Sequence, residues 1–147
     1  MKLVDANVLI YAVDSRAENH AAAKGWLDAA LSGGHRETVL LPWISLLAFV
    51  RLVTHPAVYE LPLTTDQALS VAEAWLGRPN VVTPEPDTAH ARRMRTLLSA
   101  TGRGGNLVND AHLAAIALQY GATVVTFDRD FARFPELDWE VPGLGGS

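Results

Sequence analysis

Short runs of β-branched and aliphatic residues alternate with longer stretches of helical period along this chain, and that alternation restricts the fold more than any other feature. Residues 3–4, 38–41, 80–83 and 123–127 read as strands, each brief and apolar enough to be covered on both faces. Between them the period predicts helices over 8–13, 19–31, 44–53, 65–76, 87–99 and 108–120. The stretch 44–53 is apolar nearly all round, as expected of a core helix. Ser32-Gly33-Gly34, Pro42, His55-Pro56, Pro84, Pro86 and Gly121 supply the breaks, with Asp66, Asp87 and Asn106 or Asn109 suited to helix starts. Strands joined by helical crossovers pair in parallel, so the predicted class is α/β: a three-layer α/β/α sandwich around a mainly parallel sheet. No repeat or linker divides the chain, which predicts one domain over 1–142 and a frayed glycine-rich tail over 143–147.

Composition narrows the chemistry. With 49% hydrophobic residues among 147, the chain can bury a sizeable core. No apolar run approaches the roughly 20 residues of a membrane helix, and Asp5 interrupts the N-terminus before a signal-type segment could form, so no membrane role and a cytoplasmic location are expected. There is no cysteine, so any metal must be held by oxygen or imidazole. A formal net charge of -4 argues against broad attachment to nucleic acid. Contact with nucleic acid would need local cations, for which Arg92, Arg93 and Arg95, with Arg103 in the Gly102 to Asn106 loop, are the candidates; solvated charges on a helix face are the plainer reading of each one alone.

The acids are better placed than the cations. In an open parallel sheet, ligands bind just beyond the C-terminal strand ends, and Asp5 and Asp128 each follow such an end. Asp110 opens the helix over 108–120 and shares a face with Leu113, Ala114, Ala117 and Leu118, so it points towards the sheet, where an acid serving only the helix dipole would face solvent. Three carboxylates in one crevice repel, and they either take up protons or bind a cation. Oxygen donors alone suit Mg²⁺ or Mn²⁺, which can neutralise a phosphate and acidify a bound water; hydrolysis of a phosphodiester is the chemistry this favours.

These residues resemble the PIN-domain family over nearly the whole chain. Asp5-Ala6-Asn7 is similar to its opening D-x-N motif, Asn109 to Ala117 to its central acidic helix, and Thr126-Phe127-Asp128-Arg129-Asp130-Phe131 to its last acidic motif. Leu41 to Leu52, with Thr54-His55-Pro56, further resembles a subgroup of VapC toxins. The resemblance implies a metal-dependent endoribonuclease that cuts structured RNA such as tRNA or rRNA. It also implies a homodimer, silenced by a cognate VapB-type antitoxin. Motif matching makes Asp5, Asp110 and Asp128 the catalytic metal ligands and Asn7 a support, with Asp130 either a further support or the cap of the helix that follows it. One position departs: where the family commonly carries a glutamate in the helix after the second strand, this chain has Ala48.

Two other readings follow from the same residues. A module disabled by Ala48 would bind RNA or an antitoxin without cutting. A small Mg²⁺-dependent phosphatase would use Asp5 as nucleophile, but no lysine lies near Asp128 to balance a phosphoryl group. The five histidines, His20, His35, His55, His90 and His112, show no zinc spacing, and His112 lies about 200° around its helix from Asp110. Trp26, Trp43 and Trp75 fall in apolar helical patterns and read as core or dimer-interface residues.

Overall fold

A computed structural model of the chain describes residues 1–32 and 37–143. Five strands form one parallel sheet: β1 (Lys2–Val4), β2 (Val39–Leu40), β3 (Val81–Val82), β4 (Thr123–Val125) and β5 (Trp139–Glu140), in the order β3-β2-β1-β4-β5. Six α-helices are described: α1 (Ala6–Val13), α2 (His20–Ala30), α3 (Trp43–Val53), α4 (Thr65–Leu76), α5 (His90–Thr101) and α6 (Leu107–Tyr120). A 3-10 turn over Arg129–Arg133 precedes β5.

Alternation along the strands makes the layers. Val4, Val39 and Val125 face one core, packed by α1 to α4, while Leu3, Leu40 and Val124 face a second, packed by α5, α6 and the 3-10 turn. This is the predicted three-layer α/β/α arrangement. The chain begins at the centre of the sheet, steps outward to β2 and β3, and returns to β4 on the opposite side of β1. Strand order therefore reverses between β1 and β4, and a crevice opens beyond their C-terminal ends.

Several local expectations are corrected. The strand β5 has no counterpart in the sequence reading, because two residues carry no period; register against Val124 and Val125 and a Lys2–Glu140 ion pair at 2.7 Å hold it. α3 is not buried all round: Ser45, Leu46, Phe49 and Val53 face inward, but Trp43 is 48% and Leu47 62% exposed, so Trp43 is not a core residue. Asp87 is not the N-cap of α5. That position is Ala89, and Asp87 Oδ1 instead accepts from Ala89 N at 2.9 Å and from Arg93 at 2.6 Å. α4 begins with a capping box, Thr64 with Gln67, and Asp66 sits within its first turn. Gly33, Gly34, His35 and residues 144–147, to which a helix stop, a histidine and most of the frayed tail were assigned, lie outside the described residues. Among the described residues no helix is long and apolar enough to cross a membrane.

Phe49 is fully buried and packs edge-on against Trp75, joining α3 to α4. Phe49→Ala is expected to cost about 3–5 kcal/mol of stability in urea unfolding, because the large ring leaves a cavity that helices fixed to a sheet cannot close. A loss well under 1 kcal/mol would mean that the α3–α4 layer is packed otherwise.

Candidate active site

The crevice is built by three chain segments. β1 continues through Asp5 N, which donates to Val125 O at 3.0 Å, so the first residue after β1 is still held to β4. Asp5 then turns the chain into α1: its Oδ1 accepts from Ala6 N at 2.7 Å at the helix start. Its other oxygen, Oδ2, accepts from Thr126 Oγ1 at 2.8 Å and from Asn7 Nδ2 at 3.3 Å. Asn7 also bridges the strands, donating to Thr126 Oγ1 at 3.2 Å and accepting from Phe127 N at 3.1 Å.

Thr126 is fully buried and stands at the hub of this network. Its hydroxyl donates to Asp5 and accepts from Asp128 N at 2.9 Å, so it ends β4 two residues short of the predicted strand and turns Asp128 into the crevice. Asp128, not Asp130, caps the 3-10 turn, with Oδ1 accepting from Asp130 N at 2.9 Å. The fully buried Phe131 locks that turn onto the second core. Asp110, half-buried in the first turn of α6, comes in from the facing wall; of the face predicted with it, Leu113, Ala114 and Ala117 are buried and Leu118 half-buried, and Ala111, Ala115 and Ile116 are buried as well, so α6 is covered on more than that face. His112 faces α5, where its Nδ1 lies 2.8 Å from His90 Nε2.

Together these form a cleft of about 430 Å³ whose walls include Asp5, Asn7, Ala48, Asn109, Asp110, Asp128 and Asp130. Asp110, Asp128 and Asp130 each offer a carboxylate oxygen within 4.8 Å of the others, the one cluster of that kind among the described residues. Asp5 lines the same cleft but uses both oxygens within the protein. Electrostatics agrees with the geometry. Burial, followed by the charges of Asp128, Asp5 and Asp130 and a hydrogen bond to Asp128, pushes the Asp110 carboxyl up to about 7. Burial also raises Asp5, opposed by its hydrogen bonds from Thr126 and Ala6, with the Asp128 charge adding to the rise.

The arginines divide. Arg103 borders a depression that shares Asn106 and Asp130 with the acidic cleft. Arg92 and Arg93 line a different depression with Thr96, Leu118 and Glu136, which has no lining residue in common with the acidic cleft, and Arg95 is exposed on the same helix. Two residues of the site were not legible beforehand. Thr126 read as a strand former, and its place between a strand end and an acid was the available signal. Ser45, buried on α3, donates to Val4 O at 2.8 Å and ties that helix to the end of β1; nothing in its apolar surroundings announced it.

The PIN-domain profile matches residues 2–137, and the chain belongs to the PIN-domain family. It is 45% identical over 142 residues to Ribonuclease VapC37 of Mycobacterium tuberculosis, covering 97% of each chain. With Ribonuclease VapC31 of the same species it shares 36% over 144 residues, covering 98% of this chain and 100% of the relative. Its fold resembles the crystal structure of VapBC2 from Rickettsia felis bound to a DNA fragment from their promoter, with a TM-score of 0.67 and 22% identity over 96% of this chain and 98% of that one. Within the PIN domains, its full-length relatives put it in the VapC ribonuclease branch.

The raised Asp110 carboxyl makes a prediction about the metal-free protein. Folding holds the Asp110 proton up to about 7, against 3.8 ordinarily, so the native state binds more protons than the unfolded chain across that window. Without divalent ions, the melting temperature is expected to fall as pH rises between those values and to level off above, apart from other groups. Asp110→Asn should flatten that slope in a calorimetric pH series. An unchanged slope would show that Asp110 is not held protonated by burial and its acidic neighbours.

Proposed function

We propose that this chain is a metal-dependent endoribonuclease, the toxin half of a toxin–antitoxin pair, acting in the cytoplasm on structured RNA such as tRNA or rRNA. The observation that carries the reading is the close grouping of Asp110, Asp128 and Asp130 in an open cleft, with Asp5 beside them. The VapC relatives, ribonucleases by name, supply the reaction class.

The donor set suits a hard cation. Three carboxylates, no thiolate and a cleft open to water match Mg²⁺ or Mn²⁺, which accept a few carboxylates and retain water ligands. Asp110 and Asp128, with Asp130 grouped beside them, would hold the ion, and Asp5, whose Oδ1 accepts only one hydrogen bond, would complete the set. Ala48 lines the cleft, so α3 brings no carboxylate to it, and Asp130 adds a third acid beside Asp110 and Asp128. When bound, the ion supplies positive charge to a phosphate oxygen and a more acidic water. The protein's own part is positional: Thr126 and Asn7 fix Asp5, the Asp130 N–H fixes Asp128, and Asp110 gives up its proton as the cleft takes on positive charge.

An antitoxin of the VapB kind and a second copy of the chain are the partners this reading implies. The outward side of α3, with Trp43 and Leu47, offers apolar surface for contact with one of them. Purified protein is expected to cut RNA with Mg²⁺ or Mn²⁺ and to stop in excess EDTA. Asp110→Asn should lower kcat/KM by at least about 100-fold while the protein remains folded by circular dichroism. Equal cleavage in EDTA would contradict the metal mechanism.

A further inference from the structure

A carboxylate cleft repels the substrate proposed for it. RNA brings one negative charge per nucleotide, the chain carries a net -4, and an ion in the cleft offsets only the charges nearest to it. Positive charge has to stand where the neighbouring backbone runs, and one depression supplies it. This second hollow, bordered by Arg103, Gly104, Gly105, Asn106, Asp130 and Arg133, meets the acidic cleft at Asn106 and Asp130.

Both arginines follow directly on ordered elements, Arg103 on the end of α5 and Arg133 within the 3-10 turn. Gly102, left-handed at φ 65°, ends α5 and turns the backbone, and Thr101 Oγ1 accepts from Arg103 N at 3.2 Å while its one proton is directed at Leu98 O, 2.8 Å away, with Arg103 O further off at 3.1 Å. The bond from Arg103 N ties its main chain to the end of α5. Arg133 ends the 3-10 turn between Phe131 and Phe134, which are 0% and 1% exposed, so its side chain is directed out of the core. Its Nε donates to Asp130 Oδ1 at a long 3.4 Å, which leaves both terminal nitrogens for another acceptor. Arg103 has no ion pair among the described residues. Two guanidinium groups beside a shared wall suit the paired oxygens of a phosphodiester.

We propose that this hollow is a subsite for the RNA phosphate next to the one being cut, with Arg103 and Arg133 as its clamp. The proposal rests on the nuclease reading and adds which part of the strand is gripped and by what. Arg133 is an addition to the RNA-facing residues legible in the sequence, and Arg92 and Arg93, on their separate depression, are not part of this subsite.

The test uses a short RNA that the wild-type protein cuts in Mg²⁺, made in versions where one flanking phosphodiester at a time is a neutral methylphosphonate. At one position adjoining the scissile bond, the neutral link should lower wild-type kcat/KM roughly 10- to 100-fold, mainly through KM, as expected for losing charge-assisted hydrogen bonds. In Arg103→Ala/Arg133→Ala, checked for folding by its thermal melt, the ratio between charged and neutral versions should fall to within about twofold of one. The lysine pair, Arg103→Lys/Arg133→Lys, should restore part of it through charge without the forked geometry. If the neutral link costs the double alanine variant as much as the wild type, or costs neither, the subsite is overturned while the nuclease reading stands. If the wild-type protein cuts no RNA in Mg²⁺, the nuclease reading itself fails, and the subsite with it.

Discussion

The buried hydroxyl of Thr126 joins the ends of β1 and β4, and the acidic cleft depends on that junction. It donates to Asp5, accepts from Asn7 and from the Asp128 main chain, and is shielded completely from solvent. Two residues that begin separate turns, Asp5 into α1 and Asp128 into the 3-10 turn, are thereby fixed relative to one another across 121 residues of chain separating Asp5 from Thr126. Such a buried polar network is stable when every member is satisfied. Here the hydrogen bonds also oppose the effect of burial on Asp5, so a carboxylate can be kept near other carboxylates.

Repulsion at the cleft is then a stored condition. Asp110 arrives from α6, on the opposite core from α1, and its proton is held tightly because burial and three neighbouring acids disfavour its charge. A site arranged in this way takes up positive charge readily, in the form of either a proton or a metal ion. The sheet carries the same logic at larger scale. Reversal of strand order between β1 and β4 opens the crevice, and the two cores hold its walls apart.

The layers and helices were legible because their signals are periodic. Leu113, Ala114 and Ala117 put Asp110 on a buried side of α6, although Ala111, Ala115 and Ile116 are buried too. The strand β5 was not legible, since Trp139 and Glu140 are too few to show alternation and are placed by pairing with β4. Neither was the outward side of α3, because aliphatic residues read alike whether they meet the sheet or another molecule. Asp5, Asn7, Asp110 and Asp128 stood out as polar residues at strand and helix ends. Thr126 and Ser45 did not, because their work is done by single hydroxyls on strands or helices that would form without them. Asp130 read as a support or a cap, and only three-dimensional proximity groups it with Asp110 and Asp128.

The central claim is that these carboxylates share one divalent ion, and diffraction with Mn²⁺ tests it most directly. Crystals grown with Mn²⁺ at a concentration that supports RNA cleavage should show an anomalous peak in the cleft about 2.1 Å from oxygens of Asp110 and Asp128, with Asp130 bound directly or through water. A cleft without such a peak, or manganese bound only at another surface, would contradict the account.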